Sequence, residues 1–202
     1  MSEVVQKILE AAIEEFAQRG FEAASTNKIT EKAKVAKGLL FHYFKNKENL
    51  YIECYKHVLN WTKEEFKEFA LKSLNEDFFD FLKDWSLQKI KLAAENPIYS
   101  KFLLTMTNLP PTLQGIVLDM IRVNLLDSSI MLHQRLKRVK LREGINEEDA
   151  LRFVISVFEG LGNWYLNEYR DKPDELLKNL QRILSDGDKF LEMIKFGLLS
   201  KD

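Results

Sequence analysis

Six lysines lie within a short stretch near the start of the chain, between Ser25 and Lys47. The stretch contains one acidic residue, Glu31, so its formal charge is +5, and the rest of the chain must carry −6 because the total is −1. Phosphates are neutralised by nearby charges and not by the molecular average. Such lysines can also form an ordinary solvated helix face, but this local excess favours a polyanionic partner. The six lysines are Lys28, Lys32, Lys34, Lys37, Lys45 and Lys47.

The segment from Lys37 to Tyr43 could contact both the backbone and the bases of double-stranded DNA. Lys37 can reach phosphate or base edges, and Gly38 has no side chain to prevent a close approach of the backbone to a phosphate. His42 and Tyr43 are hydrogen-bonding groups further along the same predicted helix. An α-helix fits the major groove of B-DNA, so this segment is the candidate recognition helix.

Two further residues lie where helices are predicted to begin. Thr26 starts the preceding helix, and it offers a hydroxyl together with the free backbone N–H groups of a helix N-terminus. Lys47 starts the following helix, where its ammonium charge adds to the positive end of the helix dipole. Both residues are therefore candidate phosphate contacts.

Residues that could support catalysis or hold a metal are few. The chain has three histidines and one cysteine, and His57 lies near Glu53 and Cys54. One histidine and one glutamate lack the ligand count that zinc requires, so a surface pair is the simpler interpretation. The sequence offers neither a nucleophile paired with a base nor a glycine-rich phosphate loop. It therefore predicts a protein that is not an enzyme and has no cofactor or metal, although a helical enzyme with a basic face is a rival.

The elements that must position these residues are predicted to be helices throughout. Ser2 can cap a first helix that ends at Gly20, and Ser25 or Thr26 can cap a second. Asn46 can cap a long fourth helix, and Asn146 a later one. The nine predicted helices are 2–20, 27–33, 36–44, a long one from 47, 77–95, 97–104, 111 to about 138, 146 to about 169, and 171 to about 199. No segment alternates like a strand, so the fold class is all-α.

The expected location is the cytoplasm. A single cysteine, Cys54, cannot form an internal disulfide, which fits a reducing compartment. The N-terminus is acidic and amphipathic, unlike a signal peptide. No uninterrupted apolar run is long enough to span a bilayer, so we expect no membrane partner.

The opening residues resemble the DNA-binding part of the TetR (tetracycline-repressor-like) family of bacterial transcription regulators. The segment AKVAKGLLFHYFKNKENLY is similar to the family pattern A-G-V-[SA]-x-G-x-[LIF]-[YF]-x-[YH]-F-x-[SN]-K-[ED]-x-L. The upstream segment ILEAAIEEFAQRGFEAASTNKITEKA fits as well, with a helix, a Gly-Phe pair and a second helix that starts near threonine. The resemblance covers roughly the first 50 residues.

This resemblance implies a helix-turn-helix DNA-binding domain at residues 1–46. In it, Lys37, Gly38, Leu39, His42 and Tyr43 would form the recognition face, while Phe41 would pack inward. Ser25, Thr26 and Lys47 would hold the DNA backbone. The implied core residues are Phe21, Ile29, Val35, Leu40, Phe44 and Leu50.

The resemblance also implies a helical effector-binding and dimerisation domain at residues 47–202. Family members generally enclose an effector cavity in this domain, and large apolar residues could line it, although each could equally be ordinary core. A cavity with such a lining would suit a small apolar or aromatic effector. The candidate lining residues are Trp61, Phe66, Trp85, Phe102, Met106, Phe158 and Trp164.

A homodimer is expected because one helix-turn-helix unit reads few bases, whereas two units read a palindromic operator. The resemblance implies that the last two helices pair across a two-fold axis. The candidate interface residues are Phe153, Val157, Gly160, Leu161, Leu180, Leu184 and Ile194.

One residue departs from the family pattern. Lys34 occupies the turn position where glycine is usual, and a positive φ there costs a non-glycine residue about 1 kcal/mol or more. Either the turn tolerates that strain or its geometry differs slightly. The predicted function is a ligand-responsive transcriptional regulator, acting as a repressor that its effector releases. The alternative is a helical small-molecule-binding or interaction module without sequence-specific DNA binding, and Lys34 is the residue that would favour it.

Overall fold

A computed structural model describes residues 2–169 and 172–198. This part of the chain forms ten α-helices and one short 3-10 segment, Thr105–Asn108. The helices are α1 (Glu3–Ala23), α2 (Thr26–Ala33), α3 (Lys37–Phe44), α4 (Lys47–Lys72), α5 (Phe78–Glu95), α6 (Pro97–Leu104), α7 (Pro111–Leu136), α8 (Glu147–Glu168), α9 (Pro173–Lys178) and α10 (Leu180–Leu198). The predicted all-α fold class is confirmed.

Side-chain caps fix the starts of four helices. Each capping oxygen accepts a backbone N–H from the residue three positions later, at 3.4 Å for Ser2, 2.7 Å for Asn46, 3.0 Å for Asp77 and 2.8 Å for Asn146. Such caps satisfy backbone donors that a helix N-terminus leaves without intrahelical partners. The caps predicted at Ser2, Asn46 and Asn146 are confirmed.

Two helix ends differ from their predicted positions. Gly20 has a φ of 72°, as expected of a helix-ending glycine, but a further helical turn continues to Ala23. The predicted last helix is divided at Asn179, whose N–H donates to the carbonyls of both Glu175 and Leu176. Its predicted ends at Asp171 and Leu199 lie outside the described residues.

The chain divides into two compact units, and the first contains residues up to 65 together with 96–124. Its core is a single cluster built on α1, α4 and α6, in which aromatic rings meet around Tyr51. The Phe16 and Tyr51 ring centroids are 5.0 Å apart, and those of Tyr51 and Phe102 are 5.2 Å apart. Ile29, Leu40 and the start of α4 pack into the same cluster, which therefore holds α2 and α3 in place.

The second unit contains residues 66–95 and those from 125 onward. One cluster surrounds Phe66, Phe81 and Trp85 and includes the buried faces of α8 and α10. A smaller cluster contains Ile90, Tyr165 and Ile183. The predicted domain division between residues 46 and 47 remains a prediction. The two compact units divide within α4, between residues 65 and 66. Among the described helices, none is both long enough and apolar enough to cross a membrane.

Candidate nucleic-acid interface

The turn between α2 and α3 has a well-defined hydrogen-bond pattern. Lys34 has a φ of 55° and a ψ of 44°, so this lysine adopts the left-handed conformation and the turn tolerates its positive φ. Its N–H donates to the carbonyl of Glu31 at 3.2 Å, and the N–H of Val35 donates to that of Thr30 at 3.1 Å. These two bonds form the Schellman motif that often ends a helix, normally with glycine at the left-handed position. The lysine therefore retains the turn of the helix-turn-helix.

The exposed face of α3 carries four residues at helical spacing: Lys37, Gly38, Phe41 and His42 lie at positions i, i+1, i+4 and i+5 and are all exposed. Lys45, directly after the helix, is exposed as well. The prediction that Phe41 packs inward is wrong. Phe41 is 36% exposed, because Leu40 and Phe44 already supply the buried face of this short helix. The Lys37 ammonium lies 5.9 Å from the Phe41 ring centroid.

Leu39 and Tyr43 flank this face. Leu39 is half-buried, whereas Tyr43 is 44% exposed and its ring lies edge-on to that of His42, with centroids 5.3 Å apart. The predicted core residues Phe21, Ile29, Leu40, Phe44 and Leu50 are buried, and Val35 is partly buried against them. The buried residues thus fix α3, while its polar and aromatic side chains remain accessible.

The N-termini of α2 and α3 lack the side-chain caps that other helices have. The side chain of Ser25, which precedes α2, accepts no hydrogen bond from the first turn, and Ala36, which precedes α3, has no polar side chain. The first backbone N–H groups of both helices therefore remain available to an acceptor, and phosphate oxygens are suitable acceptors.

Local acidic groups take up part of the positive charge of this segment. Lys28 pairs with Glu31 at 3.8 Å, and Lys32 pairs with Glu14 of α1. Both pairs are exposed, so each contributes little to stability. Within the part of the chain that the structure describes, no ion pair involves Lys34, Lys37 or Lys45, and these cations remain for an external anion.

The connection from α3 to α4 is a tight turn that the sequence did not indicate. Lys45 has a φ of 64° and a ψ of −53°, and the N–H of Asn46 donates to the carbonyl of Phe44 at 2.7 Å. A hydrogen bond between residues two apart with these angles defines a γ-turn, which is rare and strained. Asn46 then caps α4 directly after the turn.

Comparison with known protein families identifies this arrangement. The family sequence model described as "Bacterial regulatory proteins, tetR family" matches residues 8–54, which include α2, the turn at Lys34 and α3. The model described as "Tetracyclin repressor-like, C-terminal domain" matches residues 76–198, which is more than half of the chain. The chain belongs to the tetR family of bacterial regulatory proteins.

Curated relatives match this tetR-family chain over part of their length. The Transposon Tn10 TetC protein of Escherichia coli is 33% identical over 101 residues, which cover 46% of this chain and 51% of that protein. The HTH-type transcriptional regulator RutR of E. coli K12 is 33% identical over 97 residues, covering 46% and 43% of the two chains. The chain thus spans about half the length of these relatives.

Solved structures share the fold along nearly the whole chain. A TetR family regulator from Chloroflexus aurantiacus superposes with a TM-score of 0.68 at 20% identity, covering 100% of this chain and 96% of that one. FadR from Bacillus subtilis, solved in complex with stearoyl-CoA, gives a TM-score of 0.72 at 18% identity, covering 89% and 95%. Identities this low show a common fold only.

The predicted effector-lining residues are distributed over both units. In the first unit, Phe102 and Met106 belong to the core around Tyr51, and Trp61 packs edge-on against Tyr99 with centroids 5.2 Å apart. In the second unit, the rings of Phe66 and Trp85 meet with centroids 4.6 Å apart, and Phe158 lies in the same cluster. Trp164 is 52% exposed. Their assignment to an effector cavity remains a prediction.

Each unit has its own concavity. In the first unit, a groove of about 410 Å³ lies between α4 and α7; its lining includes Leu59, Met120 and the amides of Asn60 and Asn124. In the second unit, a cavity of about 30 Å³ lies between α5, α8 and α10, and Phe158 contributes to its wall. The groove has the volume of typical small-molecule sites, roughly 300–1,000 Å³, whereas the cavity is close to the size of one water molecule.

The candidate dimer-interface residues differ in exposure. On α8, Phe153 and Gly160 are exposed, and Val157 and Leu161 are partly buried. On α10, Leu180 and Leu184 are also partly buried, but Ile194 is only 3% exposed because it packs into the core of its own unit. The exposed apolar residues of α10 are Phe190, Met193 and Phe196; the sequence pattern placed Phe190 on the candidate surface but missed Met193 and Phe196.

The histidines and the cysteine have ordinary structural surroundings. His57 Nε2 lies 3.2 Å from the Tyr99 hydroxyl, and Glu53 pairs with Lys56. Cys54 is fully buried, and burial raises the pKa of its thiol. Within residues 2–169 and 172–198, no three potential ligand side chains converge on a metal site.

Proposed function

We propose that this tetR-family chain is a ligand-responsive transcriptional regulator that binds a palindromic operator as a homodimer and represses transcription until a small effector releases it. The observation that carries the proposal is the exposed face of α3 beside two uncapped helix N-termini. Lys37, Phe41 and His42 on this face suit base edges and phosphate in the major groove. Thr26 and the first N–H groups of α2 suit the adjacent phosphates.

The proposed contacts on DNA have distinct roles. Lys37, Gly38, Leu39, His42 and Tyr43 present the recognition face, to which we add Phe41 and Lys45. Ser25 and Thr26 hold the backbone. Three cations that form no ion pair among the described residues, Lys34, Lys37 and Lys45, would neutralise phosphates, and the affinity should therefore fall steeply as salt rises.

The proposed effector is small and apolar or aromatic. The groove between α4 and α7 supports this proposal, because Leu59 and Met120 offer apolar contact. Asn60 and Asn124 can orient a polar group, and the charged Lys56 and Asp119 also line the groove. The Asn124 amide nitrogen donates to the Met120 carbonyl, which leaves the amide oxygen as an acceptor. FadR of Bacillus subtilis was solved with stearoyl-CoA, which has a long apolar chain.

The proposed switch couples two sites. An effector that favours one position of α4 over another would change the spacing of the two recognition helices in a dimer. Coupling free energies of this kind are about 1–3 kcal/mol. For dimerisation, the exposed apolar residues of α8 and α10 supply surfaces that a second copy could cover.

A double substitution tests the DNA-binding face. Replacing Lys37 and Tyr43 by alanine should abolish specific binding to a DNA fragment selected from a random pool, while the helix content and the dimer stay intact. The measurements are gel shift, circular dichroism and sedimentation. Unchanged affinity in the double variant would rule out this face.

A salt titration distinguishes the main alternative, which is a helical binding module without sequence-specific DNA binding. For operator binding, the logarithm of the association constant should fall linearly with the logarithm of salt concentration. Binding that is insensitive to salt, or the absence of any bound fragment after selection, would favour the alternative. An enzymatic bundle would instead reveal itself by turnover of a substrate.

A further inference from the structure

Residues 22–25, which comprise the end of α1 and the two residues that connect it to α2, are held from two sides by charged side chains. The Lys47 ammonium, at the start of α4, donates to the backbone carbonyl of Glu22 at 3.0 Å and to that of Ala24 at 3.1 Å. From α1, the carboxylate of Glu15 accepts the N–H of Ser25 at 3.1 Å. The two side chains therefore satisfy three backbone groups that immediately precede α2.

The surroundings of both charged groups favour these bonds. The Lys47 ammonium also lies 4.8 Å from the Phe21 ring centroid, in range for a cation–π interaction. The Glu15 side chain is only 11% exposed, and its carboxylate oxygen Oε1 also lies 3.5 Å from Nε of Arg19. Partly buried charge-assisted hydrogen bonds are stronger than those between neutral groups. Lys47 and Glu15 are therefore held firmly in place.

We propose that Lys47 and Glu15 are positioning residues for DNA binding, and that Lys47 acts through residues 22–25 and not by gripping a phosphate. The ammonium has three hydrogens, and two of them are committed to carbonyls of its own chain. By fixing residues 22–25, the pair sets the position of Ser25, Thr26 and the first N–H groups of α2. This inference rests on the proposed operator binding, and it replaces the phosphate contact expected of Lys47.

The first test is Lys47→Met, which retains the apolar stem over Phe21 but removes the donors. Affinity for the selected DNA fragment should fall by about tenfold, whereas the salt slope should stay as in wild type. The matched control is Lys37→Met, which should lower the affinity and also reduce the slope by about 0.9, the value for one lost phosphate contact. Both are measured by fluorescence anisotropy at temperatures where all proteins are folded.

The second test uses the sign of the charge change. Glu15→Ala removes a negative charge near the DNA, so electrostatics alone would strengthen binding, but loss of the Ser25 bond should weaken it severalfold. The control is Glu22→Ala, which removes an equally local acid but keeps the carbonyl that Lys47 uses; its affinity should stay equal or rise. Glu15→Gln retains an acceptor for Ser25 and should bind nearly as tightly as wild type.

Three results would overturn the proposal. A slope reduced by about 0.9 in Lys47→Met would make Lys47 a phosphate contact. An unchanged affinity would make Lys47 merely structural, and stronger binding by Glu15→Ala would remove Glu15 from the pair.

Hydrogen exchange at the Ser25 amide tests the inference without DNA. Lys47→Met and Glu15→Ala should both accelerate this exchange, and unchanged exchange in both variants would overturn the positioning role. If wild type binds no DNA but these variants do accelerate exchange, operator binding fails while the link through residues 22–25 stands.

Discussion

The hydroxyl oxygens of Tyr51 and Thr105 lie 2.7 Å apart and join α4 to the 3-10 segment after α6. Thr105 donates its own hydrogen to the carbonyl of Phe102 at 2.7 Å, so Tyr51 must be the donor to Thr105. Burial raises the pKa of Tyr51 to about 12, which keeps this phenol protonated at neutral pH. A directed chain of two hydrogen bonds therefore runs from α4 to the end of α6.

This direction predicts an order of stabilities. Tyr51→Phe removes one donor and should cost about 1 kcal/mol in the free energy of unfolding. Thr105→Val should cost more, about 2 kcal/mol, because it leaves the buried Tyr51 hydroxyl without its acceptor, whereas the Phe102 carbonyl still accepts the backbone N–H of residue 105. Urea denaturation of both variants and of the double variant measures this, and the double variant should cost less than the sum. Equal costs for the single variants would contradict the assigned direction.

The left-handed lysine in the turn predicts a stabilising substitution. Lys34→Gly should raise the free energy of unfolding by roughly 1 kcal/mol, because glycine adopts a positive φ without the steric cost. Lys34→Ala removes the same charge but keeps the steric cost, so it should remain close to wild type. Thermal denaturation of the three proteins separates strain from charge, and similar gains in both variants would assign the effect to charge.

The exposed position of Phe41 predicts a role in reading thymine. Phe41→Ala should weaken binding to the selected operator by about tenfold at temperatures where both proteins are folded, because apolar side chains contact the thymine methyl group in the major groove. Replacing operator thymines one at a time by deoxyuridine removes that methyl group. The thymine methyl group whose removal weakens binding by the wild type should have no effect on binding by Phe41→Ala. Equal losses of affinity in both proteins would exclude the contact.

The link between α8 and α10 predicts a dependence of stability on pH. Tyr165 donates to the carboxylate of Asp186, and this bond, with that from Lys189, lowers the pKa of Asp186 below its usual 3.8. A carboxylate with a lowered pKa stabilises the fold fully above its unfolded value and loses that contribution as pH falls through the folded value.

Tyr165→Phe tests this dependence because it removes the largest cause of the lowered pKa. The stability difference between wild type and Tyr165→Phe should therefore be constant from pH 7 to about 5 and shrink towards pH 3. Urea midpoints across this range measure it. In the background of Asp186→Asn the difference should no longer change with pH, and a change that persists there would point to another carboxylate.

Sequence reasoning predicted local features well where one residue type has one strong physical role. Ser2, Asn46 and Asn146 cap their helices because their short polar side chains reach the backbone three residues later. The family pattern marked Lys34 as the turn residue, but it left open whether the lysine would adopt the positive φ that the structure shows. Features that depend on competition between neighbours were harder to predict. Phe41 is exposed because Leu40 and Phe44 fill the inner face of an eight-residue helix. Hydrophobicity alone does not reveal which aromatic side chain of such a helix remains exposed.

The role of Lys47 shows a second limit. A lysine at a helix start beside a basic segment suggests a phosphate contact, and nothing in the local sequence indicates that carbonyls more than 20 residues earlier lie within reach. Likewise, periodicity placed Ile194 on an apolar stripe, but it did not separate the side that packs within the unit from the side with Met193 and Phe196.

The fully buried Cys54 makes the natural chain suitable for labelling by thiol chemistry. Its protonated, inaccessible thiol should react slowly with maleimides and methanethiosulfonates, so a cysteine introduced at exposed Ser185 would carry the label alone. Each polypeptide would then hold one spin label. In pulsed electron resonance, the modulation depth reports how many labels share a particle, and the dipolar frequency reports the distance between them.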